Sequence, residues 1–133
     1  MRFLIDSDVL IELERHRATS LLERFIANQG HLAVSSIGVS ELFYGVARSR
    51  WPQQAEASLE ALLTNLSVLN FDRKDAEHAA DIRAGLHKAG TPIGTHDILI
   101  AAQARARALV LATSNTREFD RVPGLRTENW LTN

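Results

Sequence analysis

Arg2-Phe3-Leu4-Ile5-Asp6-Ser7-Asp8 is the stretch that decides the fold: a short apolar run ends on an acid, and a serine and a second acid follow where a helix begins. It reads as a buried strand handing over to a capped helix, with Asp6 at the strand's carboxyl end. The same grammar returns further along. A helical stretch around Leu21–Ala27 stops at Asn28-Gln29-Gly30, and His31-Leu32-Ala33-Val34-Ser35 follows as a second strand, with Ser36 placed to cap the next helix. Val68-Leu69-Asn70-Phe71 is a third strand, followed by Asp72 as a cap, and Leu109-Val110-Leu111-Ala112-Thr113 is a fourth.

Between these runs the spacing is helical. Val39, Leu42, Phe43 and Val46 recur at i, i+3, i+4, i+7, the stripe of a core-facing helix, and Trp51-Pro52 ends it and starts another over 53–65. Ala79, Ile82, Leu86 and Ala89 share a face until Gly90 closes their helix. After the turn-rich Thr91-Pro92-Ile93-Gly94-Thr95 comes a helix over His96–Arg107, and the segment beyond Thr113 reads as a loop to Arg126–Trp130. Strands alternating with helices of this length predict an α/β/α sandwich with a mostly parallel central sheet, because parallel neighbours need the crossovers that helices supply.

With 133 residues and no linker, repeat or low-complexity tract, a single domain over 1–133 is expected. The 45% apolar and 23% charged shares are those of a globular protein rather than a disordered one. No apolar run reaches the roughly 18 residues that span a bilayer, and an acid interrupts the opening before a signal-peptide core forms, so a cytoplasmic protein with no membrane partner is expected. Cysteine is absent, which excludes thiolate metal sites and a cysteine nucleophile and leaves oxygen or imidazole for any metal. A net charge of −1 gives no global field for nucleic acid, so such a substrate would need a local basic patch or a metal.

Ligands of parallel α/β sheets bind beyond the strands' carboxyl ends, and that is where the acids fall. Asp6 follows the first strand, Glu41 lies early in the helix after the second, Asp97 leads the helix before the fourth, and the loop after the fourth adds Asn115 and Glu118. Brought to one edge, several carboxylates repel unless a cation neutralises them, and Mg²⁺ or Mn²⁺ are the hard ions that prefer oxygen. Bland roles compete with this. Asp6 could only cap a helix, Glu41 lies off its apolar stripe as a solvated residue would, and Glu118 could pair with Arg117 or Arg121. Asp97 is harder to set aside, since Ile98, Leu99, Ile100, Ala101, Ala102 and Ala104 make its helix apolar almost all round. The five histidines form no metal motif; most read as surface residues, with His96 near the site because it adjoins Asp97.

Four segments carry a family resemblance: Phe3 to Ile11; Ser35-Ser36-Ile37-Gly38-Val39-Ser40-Glu41-Leu42-Phe43-Tyr44-Gly45; Pro92-Ile93-Gly94-Thr95-His96-Asp97-Ile98-Leu99-Ile100-Ala101-Ala102; and Thr113 to Leu125. In this order, across nearly the whole chain, they resemble PIN domains, and jointly the VapC-type toxins of bacterial toxin–antitoxin pairs. The resemblance implies a PIN-like fold and an Mg²⁺- or Mn²⁺-dependent endoribonuclease whose Asp6, Glu41 and Asp97 bind the metal and orient water, with Ser7 supporting the site. Many PIN domains place a fourth Asp just after the last core strand; here Asn115 stands there, and Glu118 is assigned the fourth role. RNA as substrate, transfer RNA among the possibilities, a VapB-type antitoxin that inhibits the enzyme, and a homodimer are further implications. Arg48, Arg50, Arg105, Arg107, Arg117 and Arg121 are candidates for a phosphate-binding rim.

Two other readings compete. Asp6-Ser7-Asp8 after a strand also resembles the nucleophile motif of haloacid-dehalogenase-like phosphatases, but Leu10 stands where that family prefers Thr and no later lysine motif follows. A PIN fold kept as an RNA- or protein-binding module after its site decayed would fit Asn115, and the intact Asp6, Glu41 and Asp97 speak against it.

Overall fold

The computed structural model describes residues 1–16 and 18–131, with the backbone alone of His16. Five short strands form one sheet: β1 (Phe3–Ile5), β2 (Leu32–Ser35), β3 (Ser67–Leu69), β4 (Val110–Thr113) and β5 (Thr127–Asn129). Their order is β3-β2-β1-β4-β5 and every pairing is parallel, with Leu4 opposite Ala33 on one side and Leu111 on the other. The helices are α1 (Ser7–His16), α2 (Thr19–Ala27), α3 (Ser36–Ala47), α4 (Pro52–Leu63), α5 (Arg73–Lys88), α6 (Thr95–Ala106) and the short α7 (Thr116–Phe119).

Period-two alternation along the strands sorts their side chains between two cores. Leu4, Ala33 and Leu111 face a layer built by Ala79, Ile82 and Leu86 of α5, Ile98, Ala101 and Ala102 of α6, and Phe119 of α7. Phe3, Ile5, Val34 and Ala112 face the opposite layer, where Val9, Leu10, Leu21, Phe25, Leu42 and Leu59 pack with Trp130. Trp130 meets Phe3 and Phe25 edge-on, at centroid distances of 5.1 and 5.7 Å. The expected three-layer α/β/α sandwich is therefore present. Because β1, β2 and β4 run in parallel at the sheet centre, their carboxyl ends meet on one edge. The order also reverses between β1 and β4, which opens the crevice typical of ligand sites in such sheets.

Several local expectations change. Ser35, not Ser36, caps α3: its Oγ accepts from Ile37 N (3.1 Å), while Ser36 Oγ accepts from Phe71 N (3.3 Å). Phe43 and Ala89 leave their stripes for the surface, since α3 and α5 each bury a face narrower than the periodic pattern suggested. The third strand sits one to two residues earlier than Val68–Phe71. The segment after Thr113 is not a plain loop either, for it holds α7 and the edge strand β5, both too short to show periodicity. Asp72 does cap α5, in a reciprocal box with Asp75.

Candidate active site

Asp6 leaves β1 in the crevice between β1 and β4. Its Oδ1 accepts from Ser7 N (2.9 Å) and its Oδ2 from Thr113 Oγ1 (2.9 Å) at the end of β4. Two central strands thus lock its carboxylate. The side chain does not cap α1 in the ordinary way, since the bond to Ser7 N is to its immediate neighbour. Ser7, itself buried, turns its hydroxyl to Glu41 Oε1 (3.2 Å) and so ties the start of α1 to the second turn of α3.

Glu41 is half-exposed and also pairs with His96 Nε2 on α6, in ion-pair contact but outside hydrogen-bond geometry. Asp97 follows in the first turn of α6, where the helix dipole favours a negative charge. Glu118, on α7, accepts from Asn115 Nδ2 (2.7 Å) through Oε2 and from Gly94 N (3.4 Å) through Oε1. That carboxylate joins the loop after β4 to the start of α6, and among the described residues it has no ion pair with Arg117 or Arg121. Asn115 is a positioner in this arrangement: its amide holds Glu118 while its backbone N–H reaches Thr113 Oγ1 (3.0 Å).

The sequence reading gave no site role to Asp8 or Thr113. Asp8 Oδ2 accepts from Ser114 N (3.2 Å) and also from the Ser114 hydroxyl, while Asp8 Oδ1 is buried without a partner. The available signal was its place two residues after Asp6, in the first turn of α1 and beside the same crevice. Thr113 could have been found from its position as the last residue of a central strand.

Electrostatics binds the set into one unit. Burial first, and the Asp8 carboxylate second, push Asp6 up to about 7; Thr113 and Ser7 N–H oppose this and Asp97 adds to it. Asp97 is likewise held above its ordinary range, by burial, then Glu118, with Glu41 and Asp8 adding and His96 pulling the other way. No Lys or Arg among the described residues pairs with Asp6, Asp8, Glu41, Asp97 or Glu118. Five carboxylates of all-oxygen character, two of them resisting ionisation and one keeping an orphaned buried oxygen, fit a hard divalent cation. They are not drawn into one coordination sphere, however: among the described residues no three Asp, Glu or His side chains sit close enough to grip an ion together.

The expected basic rim is only partly available. Arg105 is engaged by Asp81 (2.7 Å), His78 Nδ1 (2.9 Å) and Pro123 O (3.0 Å), and Arg107 by the buried Asp75 (3.0 Å) and Asn70 O (2.7 Å). Both brace α5 against α6 instead of facing a substrate. Arg48 and Arg50 have no carboxylate partner among the described residues.

Comparison with known proteins agrees along the whole chain. The PIN domain family matches residues 3–125. The tRNA(fMet)-specific endonuclease VapC of Shigella flexneri is 41% identical over 130 residues, covering 98% of each chain. Ribonuclease VapC2 of Haemophilus influenzae is 42% identical over 131 residues, covering 98% of this chain and 99% of the relative. Among solved structures, DNA-bound VapBC from Salmonella typhimurium superimposes with a TM-score of 0.95 at 38% identity over 98% of both chains. VapBC2 from Rickettsia felis, bound to a DNA fragment from their promoter, gives 0.93 at 30% identity, covering 98% of this chain and 99% of that one.

Proposed function

We propose, for a chain that belongs to the PIN-domain family and within it to the VapC ribonucleases, that the acidic crevice between β1 and β4 is the active site of an endoribonuclease toxin. The observation that carries the assignment is the mutual electrostatic coupling of Asp6, Asp8, Asp97, Glu41 and Glu118 at one sheet edge, where among the described residues no Lys or Arg pairs with them and His96 alone stands beside Glu41. PIN-domain nucleases depend in general on a divalent metal, and Mg²⁺ or Mn²⁺ is the ion this donor set would take. Asp6, Glu41, Asp97 and Glu118 would hold it, some of them through water, since no three among the described residues stand close enough to grip it directly; when bound, such an ion would polarise a phosphoryl oxygen and acidify water.

The chain's own residues prepare that chemistry. Thr113 Oγ1 and Ser7 N–H fix both oxygens of Asp6, so that carboxylate meets its ligand already oriented. Ser7 Oγ holds Glu41, and Asn115 with Gly94 N–H holds Glu118, which supplies the carboxylate that Asn115 lacks. Asp97 draws on the positive end of α6. Asp8, braced by Ser114, raises the negative potential around Asp6.

The substrate class follows the relatives: RNA, with initiator transfer RNA the first to test because the Shigella flexneri enzyme is named for it. A VapB-type antitoxin as inhibitory partner follows from the VapBC complexes, and a homodimer is the assembly proposed from the family resemblance. No helix among the described residues is long and apolar enough to cross a membrane.

The test is cleavage of transfer RNA by purified protein with Mg²⁺ or Mn²⁺, repeated in excess chelator and with Asp97→Asn. Cleavage should need the ion and fall at least about a hundredfold in the variant, the scale at which losing a charge-stabilising group is felt. Undiminished cleavage in chelator would remove the metal, and a fully active, folded variant would remove Asp97 from the site.

A further inference from the structure

Beside the acidic edge lies a groove of about 700 Å³ between α1, α3 and α4, and Glu41 belongs to both. Tyr44, one turn of α3 beyond Glu41, lines it together with Arg48 and Ser49. Tyr44 and Trp51 are the most exposed large apolar side chains of the described residues, each 63% exposed, at the corner where α3 turns into α4. Burial does not explain them. Each ring instead carries a guanidinium over one face: Arg48 stands 4.8 Å from the centre of Tyr44, and Arg50 5.6 Å from that of Trp51.

We propose that these two arginine-backed rings form a stacking platform for unpaired bases of the RNA, with Arg48 and Arg50 reaching the adjoining phosphates, and that the platform feeds a single-stranded stretch along the groove to the acidic edge. The proposal rests on the ribonuclease reading and names how that site selects its substrate. Every base offers a π-face to an exposed ring, and a guanidinium beside it meets the backbone charge, which is how proteins hold single strands. An RNA occupant suits the charge of this corner, since neither arginine has a carboxylate partner among the described residues. Continuity suits it as well: Tyr44 and Glu41 line the same groove one helical turn apart on α3. The groove walls are mixed, with Ile11, Leu42 and Leu59 beside Arg15 and Arg48, so a protein helix is the occupant the test has to separate from RNA.

The protein carries its own probe. Of its two tryptophans Trp51 is exposed and Trp130 is 2% exposed, so quenching on RNA addition reports on Trp51. In the Asp97→Asn background, which blocks hydrolysis, a single-stranded oligonucleotide of about 12 nucleotides should quench that fluorescence saturably, and the same sequence as a duplex should bind far more weakly. Followed by anisotropy of a dye-labelled copy of the oligonucleotide, which does not need the Trp51 signal, Tyr44→Ala and Trp51→Ala should each weaken single-strand affinity about tenfold, while Tyr44→Phe and Trp51→Phe, which keep a ring, should stay within about threefold of the parent. In the active protein the two alanine variants should raise KM for RNA with little change in kcat. Affinity unaltered by either alanine, or equal binding of duplex, overturns the platform and leaves the corner to a protein partner. A parent that cuts no RNA with any divalent ion would defeat the ribonuclease reading instead, and the binding experiment, made without hydrolysis, would still decide the platform.

Discussion

Replacing Asp6 by asparagine should make the metal-free protein more stable at pH 8 and abolish its activity. In the folded protein the Asp6 carboxyl is raised from 3.8 to about 7, burial being the first cause and Asp8 the second. Between those values the native state holds a proton that the unfolded state has released, so stability is fullest below about 4 and is lost as pH rises to about 7. A shift of about 3 units sets a ceiling of about 4 kcal/mol on the cost at pH 8. The substituted amide carries no charge and keeps an acceptor for Ser7 N–H, while the Thr113 hydroxyl can turn to accept from the amide's own N–H. We expect Asp6→Asn to gain about 2–4 kcal/mol in urea unfolding at pH 8 in chelator, and less than about 1 kcal/mol at pH 4.5, where the parent carboxyl is already neutral. Added Mg²⁺ or Mn²⁺ should then narrow the gap by stabilising the parent more than the variant. A variant equally stable or less stable than the parent at pH 8, or a gain that does not change with pH, refutes the reasoning.

Glu118→Gln should raise the metal concentration needed for cleavage by about tenfold or more, the scale of losing a charged ligand. Asp120→Asn, whose parent carboxylate among the described residues accepts only from Thr127 Oγ1 (2.7 Å) on β5, should leave the metal requirement alone; a larger effect at Asp120 would exchange their roles. Ala108 sits at φ 55° just past the end of α6, where Leu109 N closes onto Ala104 O (2.9 Å), so Ala108→Gly should stabilise by about 0.5–1 kcal/mol in thermal unfolding. A loss of stability there would mean that the methyl group's packing outweighs the backbone strain.

The fold was legible because each central strand is a short apolar run closed by a polar residue, and Asp6, Ser35 and Thr113 all occupy that closing position. Of the candidate site, the placing of Asp6 and Asp97 at element ends and of Glu41 early in its helix could be read from the sequence. What escaped depends on distance in the chain. Asp8 looks like an ordinary first-turn acid until Ser114, 106 residues away, comes to meet it. Thr113 looks like the tail of a strand until its hydroxyl meets Asp6 across 107 residues. The arginines failed for the same reason: Arg105 and Arg107 look free in sequence, yet α5 brings Asp81 and Asp75 to them.

That last difference bears on how a protein of net charge −1 handles a polyanion. The cations that brace α5 against α6 are neutralised locally, and the pair of Arg107 with the buried Asp75, joined by Gln103 Nε2 (3.3 Å), is costly to break because it would leave that carboxylate buried and uncompensated. Among the described residues the acids at the carboxyl edge have no Lys or Arg partner, only His96 beside Glu41, so RNA approaching the bare crevice would meet repulsion. Attraction would have to come from a cation held at the edge and from exposed arginines without a carboxylate partner among the described residues, Arg48, Arg50 and Arg117 among them, all short-range sources. Long-range steering would therefore be weak, and ionic strength should affect binding through only a few phosphate contacts. Specificity would then fall to the groove that Tyr44 and Glu41 both line.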